Sequence, residues 1–233
     1  AAYLVDKREL LSTGTRHLGP ITLPDPKYLG PLLLAWGASL VIMVSQKDLG
    51  SSLLFFAVFA AMLYIATERA SYLLFGALLF FVGAWFAYEK FQHVQERVTT
   101  WWNPWPVAQN QGYQLVQSMF AFGSGGFSGA GLGRGNPTTI PNVATDFVFS
   151  AVGEELGLIG VITLLVLYLV IIARGLYTAT QARQTFGRLT AGGLTLTFFV
   201  YAFVNIAMVS GLLPVVGVPL PLVSYGGTSA ITL

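Results

Sequence analysis

Asp146 is the side chain in this sequence best placed to do chemistry. It lies in the stretch Ala-Thr-Asp-Phe-Val-Phe, where a long loop gives way to an apolar segment. Apolar neighbours remove water from a carboxylate, and desolvation raises its pKa toward that of a useful general base. The position also has a structural explanation, because a threonine cap at Thr145 and an acid in the first turn stabilise a helix N-terminus. The residues alone leave general-base catalysis and helix capping open.

Two more acids occupy related positions. Glu154 follows Asp146 in the chain, and at about 100° per helical residue the two lie within about 80° of each other. Asp48 lies in the short turn Gln-Lys-Asp-Leu-Gly, where it suits a helix cap and Lys47 can reach lipid headgroups. Acids beside apolar segments are candidates for function, although a hydrogen bond to a neighbouring helix explains them equally well.

A glycine-rich stretch, GSGGFSGAGLGRG, runs from Gly123 to Gly135. Backbone N–H groups in such a stretch can converge on an anion, with Arg134 supplying positive charge. A tightly turning loop explains the glycines as well. The stretch is not a P-loop, because no Gly-Lys-Ser/Thr follows it.

The last part of the chain is broken by proline and glycine. Pro214, Pro219 and Pro221 precede the sequence Ser-Tyr-Gly-Gly-Thr-Ser, which begins at Ser224. Interrupted segments of this kind often line binding sites in membrane proteins, although a plain helix kink gives the same pattern.

Composition identifies the class of protein that must position these groups. The 233 residues are 55% hydrophobic and only 9% charged, whereas soluble domains carry about 25% charged residues. A net charge of +2 gives no field suited to nucleic acid. The absence of cysteine excludes disulfides, thiolate metal sites and a cysteine nucleophile. We therefore expect a membrane protein.

Apolar windows close to the roughly 20 residues that cross a bilayer predict the spans. They cover residues 30–46, 51–67, 71–88, 156–173 and 189–213, and a sixth begins near Val215. If the spans alternate, one side of the membrane carries Lys7, Arg8, Arg16, Lys27, Arg69, Arg174, Arg183 and Arg188. The positive-inside rule makes that side cytoplasmic, so the long loop 89–145 faces outward.

The outer loop is rich in aromatic residues. Trp101, Trp102 and Trp105 suit a belt at the headgroup level. Residues 113–122 predict a short helix at the membrane surface. One of its sides carries Leu115, Val116, Met119, Phe120 and Phe122, and Gln114, Gln117 and Ser118 face elsewhere.

Taken together, five stretches resemble, in order, the signatures of the SEDS family (FtsW and RodA). They are the turn 46–50 (Q-P-D-L-G in the family), 97–105 (R-V-T-x-x-W-N-P-W), 112–126 (G-Y-Q-x-x-Q-S-x-x-A-x-G-S-G-G), 145–157 (T-D-F-I-F-x-x-x-G-E-E-L-G) and 219–229 (P-L-P-F-x-S-Y-G-G-T-S). The sequence departs from the pattern in two places. Lys47 replaces the usual proline, and the stretch 136–141 lacks the lysine common before L-P-E in FtsW, where Asn142 also replaces the glutamate.

The resemblance implies an all-α, polytopic transmembrane helix bundle in the bacterial inner membrane. Residues 1–233 would form a single membrane domain, incomplete at both ends, with about six of the family's ten spans. The loop 89–145 would carry short interfacial helices on the extracytoplasmic side.

The resemblance also implies a glycosyltransferase that polymerises lipid II into β-1,4 glycan strands by an inverting displacement. Asp146 would deprotonate the acceptor hydroxyl. A divalent cation (Mg²⁺ or Mn²⁺) is expected with Asp48 or Glu154 as a ligand, and a class B penicillin-binding protein as the partner. Substrate-binding candidates are Lys47, Arg97, Gln114, Gln117, Ser118, Arg134, Ser224 and Tyr225.

Two alternatives to polymerisation stay open. One is a flippase for lipid II, and the other is a non-catalytic scaffold for the penicillin-binding protein. The shared motifs do not distinguish a role in elongation from one in division or sporulation.

Overall fold

The computed structural model describes residues 15–18, 21–24, 30, 34, 37, 49–67 and 70–225. Apart from one antiparallel hairpin of β1 (Thr15–Leu18) and β2 (Ile21–Pro24), the regular structure of these residues is helical. The helices are α1 (Leu49–Thr67), α2 (Ala70–Lys90), α3 (Gln92–Trp102), α4 (Tyr113–Gly125), α5 (Val148–Gln181) and α6 (Thr185–Val209). The predicted all-α fold class is confirmed.

Two of these helices, α5 and α6, are long and apolar enough by length and composition to cross a membrane. In the most apolar window of α5 only 11% of the residues are buried within the protein. Its exposed side chains include Leu158, Ile162, Val166 and Leu169. An apolar surface of this extent is typical of contact with lipid or with another protein.

The predicted spans match the observed helices at most positions. Windows 51–67 and 71–88 correspond to α1 and α2, and windows 156–173 and 189–213 overlap α5 and α6. Window 30–46 lies mostly outside the described residues. The sixth span does not begin at Val215 as predicted, because residues 215–225 are not helical. Proline lacks an N–H donor and restricts the residue before it, so Pro219 and Pro221 oppose a helix there.

The chain divides into two compact units. The first contains residues 1–85 and 172–197, and the second contains residues 86–171 and 198–233. In the first unit, Phe56 of α1 stacks on Phe80 of α2 with ring centroids 5.4 Å apart. Gly193 of α6 lies against Met62 of α1. Small residues at such crossings let membrane helices approach closely.

In the second unit, the side of α4 that carries Ser118 packs against α5 and α6. The Ser118 hydroxyl is fully buried and lies 2.7 Å from both Ser150 Oγ and the Val209 carbonyl oxygen. Phe120, by contrast, is 56% exposed. Ser118 is therefore buried like the apolar Leu115 and Val116, contrary to the predicted division of this helix, because paired hydroxyls can be buried at a helix crossing. The exposure of Phe120 is compatible with the predicted place of the helix at the membrane surface.

Helix α5 is broken at Gly157, whose φ of 63° and ψ of −161° are not helical. The glycine-rich loop replaces the lost helical hydrogen bonds. Leu158 N and Ile159 N donate to the Gly126 and Phe127 carbonyls at 3.0 and 3.3 Å. In return, the Glu154 and Glu155 carbonyls accept from Ala130 N and Gly131 N at 2.9 and 3.0 Å. The loop is thus part of the helix packing, and these two N–H groups are not available to an anion.

Glycine is required where the loop meets the break. Gly129 and Gly157 both have a positive φ, and a Cβ on Gly157 would overlap Gly129 N and the Phe127 carbonyl. A non-glycine residue pays about 1–2 kcal/mol for the left-handed conformation alone.

We expect Gly157→Ala to destabilise the protein by more than about 1–2 kcal/mol, because steric overlap adds to the backbone strain. In thermal unfolding this corresponds to a midpoint lowered by roughly 2–4 °C per kcal/mol. Gly123→Ala is the matched control, since Gly123 lies in α4 with open space around it. Equal midpoints for the two variants would contradict the packing described here.

Candidate active site

Asp146 precedes α5 and is not part of it. The helix begins at Val148, and its first turn contains no acid. Asp146 N and Phe147 N instead donate to the Asn142 carbonyl at 3.0 and 3.3 Å, and Thr145 Oγ1 lies 3.2 Å from the same oxygen. Asn142 adopts a φ of 57°, which asparagine tolerates better than most residues. The helix-capping interpretation of Thr145 and Asp146 is therefore wrong.

The backbone around Asp146 is fixed by residues far away in the sequence. Three successive carbonyls, those of Ala144, Thr145 and Asp146, each accept a hydrogen bond. Their donors are Tyr225 N at 2.8 Å, the Ser224 hydroxyl, and Asn205 Nδ2 at 2.7 Å, respectively. The loop that carries the carboxylate is thereby attached to α6 and to the end of the described chain.

The segment 214–221 forms the wall beside the carboxylate, and polar side chains hold it at several points. Arg97 Nη1 donates to the Val215 carbonyl at 3.0 Å, and the Tyr168 hydroxyl donates to the Pro221 carbonyl. Asp146 Oδ2 lies beside Gly217, 3.5 Å from the position that a Cβ would take. Only Val216 therefore separates the residue that Arg97 contacts from the residue that Asp146 contacts.

The Asp146 side chain is half-buried, and its pKa depends on this burial and on one hydrogen bond. Burial raises the pKa of its carboxyl above the ordinary 3.8, and a hydrogen bond from Thr145 acts in the opposite direction. A carboxylate with a raised pKa accepts a proton more readily than a solvated one. The site can therefore supply a general base.

The other predicted site residues fall into three groups. The first group contacts the loop before α5 or the segment 214–221: Ser224 and Tyr225 bond to the carbonyls of Thr145 and Ala144, Gln114 Nε2 is 3.4 Å from the Pro141 carbonyl, and Arg97 bonds to Val215. Ser224 Oγ also accepts from Leu220 N at 2.7 Å, which gives this hydroxyl a structural role. A second group lies elsewhere on the second unit and consists of Gln117, Ser118, Arg134 and Glu154. The third group, Lys47 and Asp48, lies outside the described residues.

For the candidates elsewhere on the second unit, no hydrogen bond to the Asp146 carboxylate is found among the described residues. Ser118 is enclosed by Ser150 and Val209, and half-buried Gln117 precedes it on α4. Arg134 is exposed in the glycine-rich loop. Substrate binding by these residues stays a prediction.

The predicted divalent cation has two candidate ligands, Asp48 and Glu154, and only Glu154 lies in the part of the chain that the structure describes. No three His, Asp or Glu side chains converge there. Glu154 Oε1 accepts from Asn136 N at 2.9 Å, so this carboxylate anchors the loop. A cation held by Asp48 or Glu154 stays a prediction.

Sequence reasoning missed Asn205. It is fully buried in α6, and its Nδ2 donates both to Asp146 O and to Val218 O, at 2.7 and 2.5 Å. A lone amide within the apolar run Tyr-Ala-Phe-Val-Asn-Ile-Ala was the available signal, because polar groups inside such helices are retained for a specific contact.

Long helices with exposed apolar faces, and a half-buried carboxylate held where one of them begins, define a polytopic membrane protein with a polar site at the end of a span. The FtsW/RodA/SpoVE family model, described as "Cell cycle protein", matches residues 10–233. The chain therefore belongs to this family, the SEDS family.

Individual relatives agree with the family assignment. The chain is 46% identical to the peptidoglycan glycosyltransferase RodA of Mycobacterium leprae over 229 residues, which cover 98% of this chain and 49% of the relative. It is 41% identical to the peptidoglycan glycosyltransferase MrdB of Escherichia coli K12, with coverage of 90% and 58%. The chain thus spans about half the length of the curated relatives it matches.

A solved structure supports the fold. A chain of the structure named "Structural coordination of polymerization and crosslinking by a peptidoglycan synthase complex" matches with a TM-score of 0.67 and 25% identity. The match covers 99% of this chain and 74% of that chain.

The raised pKa of Asp146 predicts an effect on stability. A carboxyl whose pKa is higher in the folded state binds more protons there than when unfolded, so stability falls as the pH rises from 3.8 through the raised pKa. We expect Asp146→Asn to unfold at the same or a higher temperature than wild type at pH 7, and this difference to shrink toward about pH 4. Glu89→Gln, which removes an exposed carboxylate at the end of α2, is the control. A large loss of stability in Asp146→Asn at pH 7 would contradict the assignment.

Proposed function

We propose that this protein is a peptidoglycan glycosyltransferase that polymerises lipid II into β-1,4 glycan strands. The observation that carries the proposal is the half-buried Asp146 carboxylate, which projects from a backbone held at three consecutive carbonyls. Membership of the SEDS family and the names of the RodA and MrdB relatives support the choice of reaction.

In the proposed reaction, the Asp146 carboxylate takes the proton from the acceptor sugar's 4-hydroxyl. The oxygen then attacks the anomeric carbon of the donor, the new glycosidic bond forms, and the bond from that carbon to the diphosphate breaks. The electron pair leaves with undecaprenyl diphosphate. One base is sufficient for this inverting displacement, and the raised pKa of Asp146 favours the proton transfer.

The departing diphosphate requires positive charge or aligned donors. Arg97 is the best-supported candidate, because it bonds to Val215 O, two positions before Gly217, which lies beside the Asp146 carboxylate. Arg134 lies in the glycine-rich loop. Contributions from Lys47 and from a divalent cation remain part of the proposal without a described contact.

The proposed setting is the bacterial inner membrane, with the loop 89–145 on the outer face, where lipid II would be used. The excess of Lys and Arg on the opposite side supports this orientation. A class B penicillin-binding protein is the proposed partner. The name of the matching synthase complex, which joins polymerization with crosslinking, supports that choice.

We expect Asp146→Asn and Asp146→Ala to lower the polymerisation rate by roughly 10²–10⁴, the usual effect of removing a general base. The assay measures glycan formation from labelled lipid II by the full-length protein with its partner bound. Glu89→Gln removes a carboxylate from the end of α2 and should retain the wild-type rate.

The Asp146 variants should bind the partner like wild type and should unfold at a temperature no lower than that of wild type. Polymerisation near the wild-type rate in both would contradict the proposal, and would favour the flippase or scaffold function instead.

A further inference from the structure

Asn205 is unusual among the buried residues of the second unit. It is 0% exposed and lies close to the C-terminal end of α6, between Val204 and Ile206. Its two N–H hydrogens are directed at two carbonyls that lie on different segments of the chain, those of Asp146 and Val218. A neutral side chain with two donors on one nitrogen is an amide, so asparagine suits this position chemically.

The two ends of the Asn205 amide contribute to stability with opposite sign. Nδ2 pairs with two carbonyls that a leucine would leave without this donor, whereas Oδ1 is buried and no donor among the described residues reaches it. An unpaired buried acceptor is unfavourable, and an apolar side chain of the same shape would avoid that cost. The two donated hydrogen bonds are therefore the feature that distinguishes Asn205 from a leucine.

Those two bonds join the base to the wall of the site. One fixes the peptide of Asp146 itself, and the other fixes Val218, next to Gly217, which faces the Asp146 carboxylate. Arg97 is bonded to Val215 on the same segment. The side chain of Asn205 thus links Asp146, which would accept the proton, to the segment 215–218, to which the Arg97 guanidinium is also bonded.

We propose that Asn205 is a positioning residue for Asp146. Its two hydrogen bonds hold the carboxylate at a fixed position relative to the segment 215–218. The inference rests on the proposed glycosyltransferase function. It predicts that loss of the two hydrogen bonds slows the chemical step without weakening substrate binding, because misplacing a reacting group by about 1 Å can cost roughly 100-fold in rate.

The test compares Asn205→Leu and Asn205→Asp in the full-length protein bound to its partner, with labelled lipid II as substrate. Leucine keeps the packing and removes both donors. Aspartate keeps the shape and turns acceptors toward the Asp146 and Val218 carbonyls. We expect kcat to fall by roughly 10- to 100-fold in both variants, with KM within about threefold of wild type.

Tyr168→Phe is the matched control. It removes one buried hydrogen bond to the same wall, at Pro221, and does not touch Asp146. We expect its kcat to stay within about threefold of wild type. A loss in Tyr168→Phe equal to that in the Asn205 variants would overturn the inference, since general loosening of the wall would then account for both.

Two further outcomes separate this inference from the proposed function. If Asp146→Ala is inactive while folded Asn205 variants keep the wild-type kcat, the positioning role is overturned and the base assignment stands. If Asp146→Ala polymerises normally, the base assignment fails, and the positioning role fails with it. Adding Asn205→Leu to Asp146→Ala should cause no further loss of rate, because the two hydrogen bonds of Asn205 act only through the Asp146 carboxylate.

Discussion

Three hydrogen bonds to consecutive carbonyls hold the site together. The carbonyls of Ala144, Thr145 and Asp146 are bonded by a backbone N–H, a hydroxyl and an amide, all from residues beyond position 200. Non-helical backbone at membrane depth is tolerated only when protein or water satisfies its polar groups. These bonds therefore let an irregular segment carry a carboxylate at the end of an apolar helix, and they fix its place.

The same requirement explains the break in α5. At Gly157 the helix gives up its own hydrogen bonds at Leu158 and Ile159, and the glycine-rich loop supplies replacements on both sides of the break. The side chain of Glu154 adds a bond to Asn136 N, which ties the loop down further along. The glycine-rich loop is therefore packed against α5, and it holds residues 154–159 on both sides of the break.

Sequence reasoning could reach the features that depend on local pattern. Apolar length predicted the helices, and an acid among aromatic residues identified Asp146. It could not predict contacts between distant residues: Asn205 and Asp146 lie 59 positions apart. The burial of Ser118 was missed because a lone hydroxyl counts as polar until its partners, Ser150 and Val209, are placed beside it. The break at Gly157 was missed because glycine is common within membrane helices.

The most direct test of this account is amide hydrogen exchange in the full-length protein, comparing wild type with Ser224→Ala. If the bonds to the three carbonyls hold the site, removing the Ser224 hydroxyl should speed exchange both at residues 220–225 and at the amides of Thr145, Asp146 and Phe147, which bond to Asn142. Faster exchange at 220–225 alone, with 142–147 unchanged, would show that the loop carrying Asp146 is held by something else and would contradict the account.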